Sequence, residues 1–209
     1  MAAFPSTVRI IPANGYRRER WANGAGWTRA ICACRLEGAQ GIEVPEWDWR
    51  MSVAEIEAPA PYSLLPGIER EQVLLSGNGL RLRFADGATH ELLPPHQRLR
   101  FPGDRECAGE PVDGRVEAFN LMWRRDAVEA TLWHRPLVGS MVVFVDPGTT
   151  WAVYLLSGRM AIGHGLDSHA DLMQGDSALL RSDGTRTRHA LDGSGEALLV
   201  RIRPRQEAQ

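Results

Sequence analysis

Apolar and polar residues alternate along most of this chain in short runs, and Gly, Pro, Asn and Asp separate the runs. A period of two is that of a strand with one buried face, and many such runs at regular spacing predict an all-β sandwich or barrel. Val8–Ile11 reads as an edge strand ended by Pro12, Tyr16–Arg20 as a charged turn, and Ala30–Leu36 as a strand. Trp47–Ile56 alternates over its whole length: counting by twos, one face carries Trp47, Trp49, Met51 and Val53, the other Asp48, Arg50, Ser52 and Ala54. Gln72–Leu75, Leu80–Phe84, His90–Leu93, Gln97–Phe101 and Val116–Trp123 continue the series. Arg124–Leu132 is the best helix candidate, and a weak one. Beyond it come Met141–Val145, Thr150–Leu156, Arg159–Gly163, Ala170–Leu172, Ser177–Leu180 and Ala197–Ile202, with turns such as SGR and DGSG between them.

Trp21–Ala30 (WANGAGWTRA) interrupts the alternation. It is Gly-rich and polar yet holds two Trp. It reads either as a plain Asn-Gly hairpin turn or as a turn that lines a pocket, with Asn23 offering an amide to it. A repeat adds a second level of order. Leu74-Leu75-Ser76-Gly77 recurs as Leu155-Leu156-Ser157-Gly158, each copy between two strands, and Gly103-Asp104 and Gly175-Asp176 follow at different offsets. Strand, Ser-Gly turn, strand, then a Gly-Asp turn and a further strand resembles the cupin barrel. Two copies make a duplicated cupin, a bicupin, with an N-terminal barrel over 1–125 and a C-terminal one over 126–209.

Composition narrows the function. The hydrophobic content of 44% and charged content of 24% are those of an ordinary globular protein, and a net charge of −2 points to neither nucleic acid nor a membrane surface as partner. Every basic residue is Arg, so no Schiff base or catalytic Lys exists here. Cys32, Cys34 and Cys107 form no regular framework, which argues for a reducing, cytoplasmic compartment, and Cys32 and Cys34 read as small core residues. No signal peptide and no apolar run of membrane-spanning length is present.

A metal-dependent cupin needs converging His ligands and a carboxylate. None of His90, His96, His134, His164, His169 and His189 has the His-x-His spacing, so no metal and no cofactor is expected; His164 and His169, flanking a Gly turn, are the residual candidates. No nucleophile elbow, phosphate loop or dinucleotide fingerprint occurs, and no catalytic residue is assigned. What the sequence offers is an anion site: Arg50 with Ser52 beside it, and Arg70 after the Pro66-Gly67 turn, each open to the alternative of an internal salt bridge. If Trp47, Trp49 and Met51 face the core between sheets, Arg50 faces solvent; if they cover the outside, Arg50 and Ser52 point into the barrel.

The motifs Trp21–Thr28, Trp49–Ala54, Ser63–Arg70, Phe101–Asp104 and Phe119–Arg125 together resemble the HutD/Ves family. The resemblance implies a metal-free cytoplasmic bicupin without an established enzymatic activity, linked in some members to histidine utilisation. Three positions depart from the family pattern: Ala25 stands where Gly is typical, which puts a positive φ there in question, and Ala60 and Tyr62 stand where Gly and Phe are typical, the Tyr62 hydroxyl bearing on ligand choice. The expected function is a small-carboxylate binding protein that senses or modulates histidine utilisation, with urocanate or a related intermediate as ligand. Its site would combine Arg50 and Arg70 with Asn23, Ser52 and Asn120. A metal-independent enzyme on a small polar metabolite, and an interaction protein with a vestigial pocket, are the alternatives. A homo-oligomer is compatible with each.

Overall fold

The computed structural model describes residues 7–36, 46–164 and 168–205. Its strands are β1 (Val8–Ile11), β2 (Arg17–Arg20), β3 (Gly26–Cys34), β4 (Trp49–Ile56), β5 (Ala60–Pro61), β6 (Ile68–Ser76), β7 (Leu80–Phe84) and β8 (Thr89–Leu92). They continue as β9 (Arg98–Pro102), β10 (Cys107–Pro111), β11 (Val116–Arg124), β12 (Val128–Val145), β13 (Thr150–His164), β14 (Ser168–Met173), β15 (Ser177–Leu180) and β16 (Thr187–Pro204). Among the described residues one 3-10 turn, Ala13–Gly15, is the helical element. None of them forms a helix long and apolar enough to cross a membrane.

Two compact units share the chain. One is Tyr16–Val128; the other gathers Glu129–Gln209 with Met1–Gly15, as far as these residues are described. The expected division after residue 125 thus compares with one after Val128. The first residues associate with the later unit because β1 pairs antiparallel with β15.

In the unit Tyr16–Val128, a six-stranded sheet of order β2-β3-β4-β11-β6-β9 accompanies a four-stranded sheet of order β5-β10-β7-β8. Ala54, Leu74 and Ala118 of the first sheet share a core with Leu80, Leu82 and Phe84 of the second. The core-facing side of β4 is therefore the one that carries Arg50, Ser52 and Ala54. Trp49, Met51 and Val53 on the other side are buried as well, so Arg50 points inward. In the other unit the sheet runs β1-β15-β13-β16-β12, with β14 on β13, around an aliphatic core that includes Leu137, Val153, Leu155, Met160 and Leu199.

The repeated tetrapeptide makes the same irregularity in both units. Ser76 pairs Glu117 and Leu74 pairs Ala118, so Leu75 is an extra residue in β6. Ser157 pairs Glu196 and Leu155 pairs Ala197, so Leu156 is its counterpart in β13. Each is a bulge, which bends a strand and raises its twist. The Gly-Asp pairs are not equivalent: Gly103-Asp104 follows β9, whereas Gly175-Asp176 precedes β15. The counterpart of Asp176 is Gln97, since Leu155 and Leu74 each donate a backbone N–H to these residues' carbonyls at 3.0 Å.

Several expectations are corrected. Arg124–Leu132 holds no helix: residues 125–127 turn and β12 starts at Val128. Tyr16–Arg20 contains the exposed edge strand β2 rather than a turn. SGR and DGSG lie inside continuous strands, because Gly158 (φ +84°) and Gly195 (φ +124°) let β13 and β16 bend together. A Cβ on Gly158 would sit 1.9 Å from the Ser194 carbonyl oxygen, so the bend needs that glycine. Cys32 and Cys34 are half-buried rather than core residues, whereas Cys107 is buried; none of the three is in a disulfide.

Candidate functional site

Strands β4, β11 and β6 lie side by side, and their register builds the site row by row. Met122 pairs both Arg50 and Arg70; Asn120 pairs both Ser52 and Gln72; Ala118 pairs both Ala54 and Leu74. Directly paired residues of an antiparallel sheet share a face. The third row is core, and the two polar rows continue the same inward face. A cavity of about 530 Å³ opens over them. Asn23, Arg50, Ser52, Arg70 and Asn120, the residues singled out from sequence, all line it.

The turn 21–25 forms one rim, and both readings of it hold together. It is the hairpin turn between β2 and β3, closed by Gly24 N–H to the Trp21 carbonyl at 3.0 Å. It is also part of the cavity wall, with Trp21 and Thr28, whose side chains are joined by an indole N–H donated to the Thr28 hydroxyl at 2.9 Å. Gly24 takes the positive φ of +72°. Ala25 does not need one, so the Ala at that position is accommodated. Asn23 Oδ1 accepts the Ala25 N–H at 3.1 Å, which fixes the side chain at the mouth.

Arg70 is 6% exposed, and its Nε is buried without a hydrogen-bond partner. Among the described residues no acidic side chain forms an ion pair with Arg70 or Arg50. Aromatic rings flank Arg70 instead: its guanidinium carbon lies 4.6 Å from the Tyr62 ring centre and 5.3 Å from that of Phe101. Burial lowers the pKa of both arginines from the ordinary value, and the charge of Arg50 adds to the lowering at Arg70. An arginine nevertheless stays charged in a protein. The cavity therefore holds two neighbouring cations without a carboxylate between them.

Gln72 and Met122 also line the cavity and were not identified from sequence as site residues; Tyr62, whose hydroxyl the sequence ties to ligand choice, lines it as well. Gln72 was legible in principle, being two residues from Arg70 on one strand. Burial pushes the Tyr62 hydroxyl up to about 12, against the charge of Arg70 and the hydrogen bond with Gln72. The side chains of His164 and His169, the residual metal candidates, lie outside the described residues. Asn120 Oδ1 is buried without a hydrogen-bond partner. Chemically, the arrangement can bind an anion by charge and by donated hydrogen bonds.

A family model described as HutD matches residues 13–199. Protein Ves of Citrobacter koseri is 30% identical over 196 residues, covering 93% of this chain and 91% of that protein. An uncharacterized 21.2 kDa protein in the hutC 3′ region of Pseudomonas putida is 31% identical over 127 residues, covering 61% of this chain and 64% of that one. Among solved structures, HutD of Pseudomonas fluorescens SBW25 superposes with a TM-score of 0.78 at 22% identity, covering 95% of this chain and 100% of that chain. A cupin 2 conserved barrel domain protein of Leptotrichia buccalis reaches 0.56 at 11% identity, over 94% and 96% of the two chains. At such identities the superpositions speak to fold alone, and that fold is the cupin fold.

Proposed function

Because this chain belongs to the HutD family, which is linked to the histidine-utilisation region, we propose that it is a binding protein for a small carboxylate. In this reading it works in the cytoplasm as a sensor or modulator of histidine utilisation, and urocanate or a related intermediate is the ligand. The observation that carries the reading is Arg70, a buried guanidinium at a cavity without an acidic partner. Taking a cation out of water is costly unless an opposite charge meets it. A ligand carboxylate supplies that charge, and the planar fork of Arg suits it. Arg50 supplies the second charge, with Ser52, Asn120 and Asn23 as neutral partners; the binding mode calls for no metal. The Pseudomonas fluorescens HutD structure is described for a formate condition, and formate is the smallest carboxylate.

The enzyme alternative needs a group that moves protons near neutral pH. The described lining residues include no His, Asp, Glu or Cys, and burial holds the Tyr62 proton well above neutrality. Binding without turnover fits this wall better. Calorimetric titration of wild type and Arg70→Met with formate and urocanate tests the reading. A charge-assisted bond contributes about 1.5–3 kcal/mol, so the variant should bind roughly tenfold to a hundredfold more weakly. Equal affinities in two equally stable proteins would refute the assignment of Arg70. Product formed at an enzyme-like rate from urocanate or a formylated amino acid would favour the enzyme.

A further inference from the structure

Tyr62 controls what the polar wall can offer. Its backbone N–H donates to the Cys107 carbonyl at 2.8 Å. Its hydroxyl end lies over Gly109, where a Cβ would come within 2.6 Å of the oxygen, so the absence of a side chain there lets the phenol reach inward. The hydroxyl meets the amide of Gln72: Nε2 donates to it at 3.0 Å, and Oε1 lies 3.4 Å away as acceptor for the phenolic proton. Gln72 is fully buried, and the phenol meets both its Nε2 and its Oε1.

Apart from the hydroxyls of Thr28, Ser52 and Ser63, which accept as well as donate, the charged part of the wall offers donors. Guanidinium groups only donate. Asn23 Oδ1 already holds the Ala25 N–H. With Gln72 Oε1 turned to Tyr62, a ligand group that lies beside Gln72 loses that acceptor. Gln72 lies two residues along β6 from Arg70, about 7 Å at the rise of a strand. A ligand anchored at Arg70 and four carbons long brings its far end beside Gln72.

We propose that Tyr62 is the specificity-determining residue of this cavity. By engaging Gln72 it makes the site accept carboxylates whose second polar group only accepts hydrogen bonds, and reject those that carry an amide N–H₂ there. A buried donor left without an acceptor loses binding free energy, which is what makes such a wall discriminate. The inference rests on the carboxylate reading above.

Levulinate and succinamate test it, because they differ only in a methyl against an amide N–H₂ at the far end. Wild type should bind levulinate more tightly. In Tyr62→Phe, Gln72 Oε1 is free to accept from the amide, and the affinity ratio should move toward succinamate by about tenfold. The double variant Tyr62→Phe/Gln72→Leu should lose that movement, which separates the freed amide from a mere change of cavity shape. An unchanged ratio in Tyr62→Phe, with melting curves showing folded protein and both ligands bound, overturns the proposal alone. If wild type binds neither ligand while its melting curve is that of a folded protein, the carboxylate reading falls and this inference with it.

Discussion

Glu55 and Arg70 are both nearly closed to solvent, at 3% and 6%, yet their surroundings treat them in opposite ways. Glu55 sits among three arginines, with Arg18 at 2.6 Å, Arg29 at 3.0 Å and Arg115 at 3.1 Å. Burial alone would raise its pKa; the hydrogen bond from Arg18 and the charges of Arg115, Arg18 and Arg29 outweigh it and hold the carboxyl below its usual range. A depressed folded pKa contributes stability that is present above the unfolded value of about 4.3 and is lost as the pH falls through the folded value. Glu55→Gln should therefore be less stable than wild type by about 1–3 kcal/mol at pH 7, and the gap should close below the unfolded value. Denaturant titrations of both proteins from neutral pH to pH about 3 check this, and a gap of constant size would show that charge is not the cause. Arg70 has no such company, which is why the proposed site is placed at Arg70, whereas Glu55 belongs to a structural network. The alternation of Trp47–Ile56 made Arg50 and Ser52 legible as a pair, but not the side they face. Side is settled by what covers Trp49, Met51 and Val53, and a single strand's pattern does not contain that. Gln72 was missed because its strand was read as starting there, when it begins at Ile68.

At the scale of elements, β4 explains why both of its faces had to be compatible with burial. Trp49, 2% exposed, belongs to the apolar face, and its truncation to Ala should cost about 3–5 kcal/mol, as large aromatic truncations in cores do. An unchanged chemical denaturation midpoint in Trp49→Ala would contradict that burial. Strands whose flanks carry strong breakers were read with correct bounds: Val8–Ile11 ends before Pro12, and Leu80–Phe84 lies between SGNG and ADGA. Strands with atypical composition were missed. Arg17–Arg20 is all charge because it is an exposed edge, where charged side chains discourage pairing with other chains. Cys107–Pro111 has the Gly and Pro of a turn, yet it is a strand whose glycine makes room for Tyr62. Around Gly158 and Gly195 the local signal for a turn was physically sound; pairing across the bend carried the strands through it.

The molecule as a whole uses one plan twice with different interiors. The pair Gln72 and Asn120 of the cavity unit corresponds in register to Val153 and Leu199 of the other, counted from the shared bulge. Val153 and Leu199 are buried in an aliphatic core, so that row is filled where the corresponding row of the first unit borders a cavity. A calorimetric titration should accordingly give one carboxylate per chain, and a stoichiometry near two would mean that the aliphatic interior also binds. The cavity unit has a property that its counterpart lacks. Arg50 and Arg70 both pair with Met122, and the charge of Arg50 disfavours that of Arg70, a cost that the proposed anion would offset. A ligand that binds only the native state stabilises it by RT ln(1 + [L]/Kd). Fewer molecules then open to proteases at any moment, and survival in the cell rises with the ligand. On the proposed carboxylate reading, such a protein keeps a running account of its ligand in its own abundance, without any change of shape.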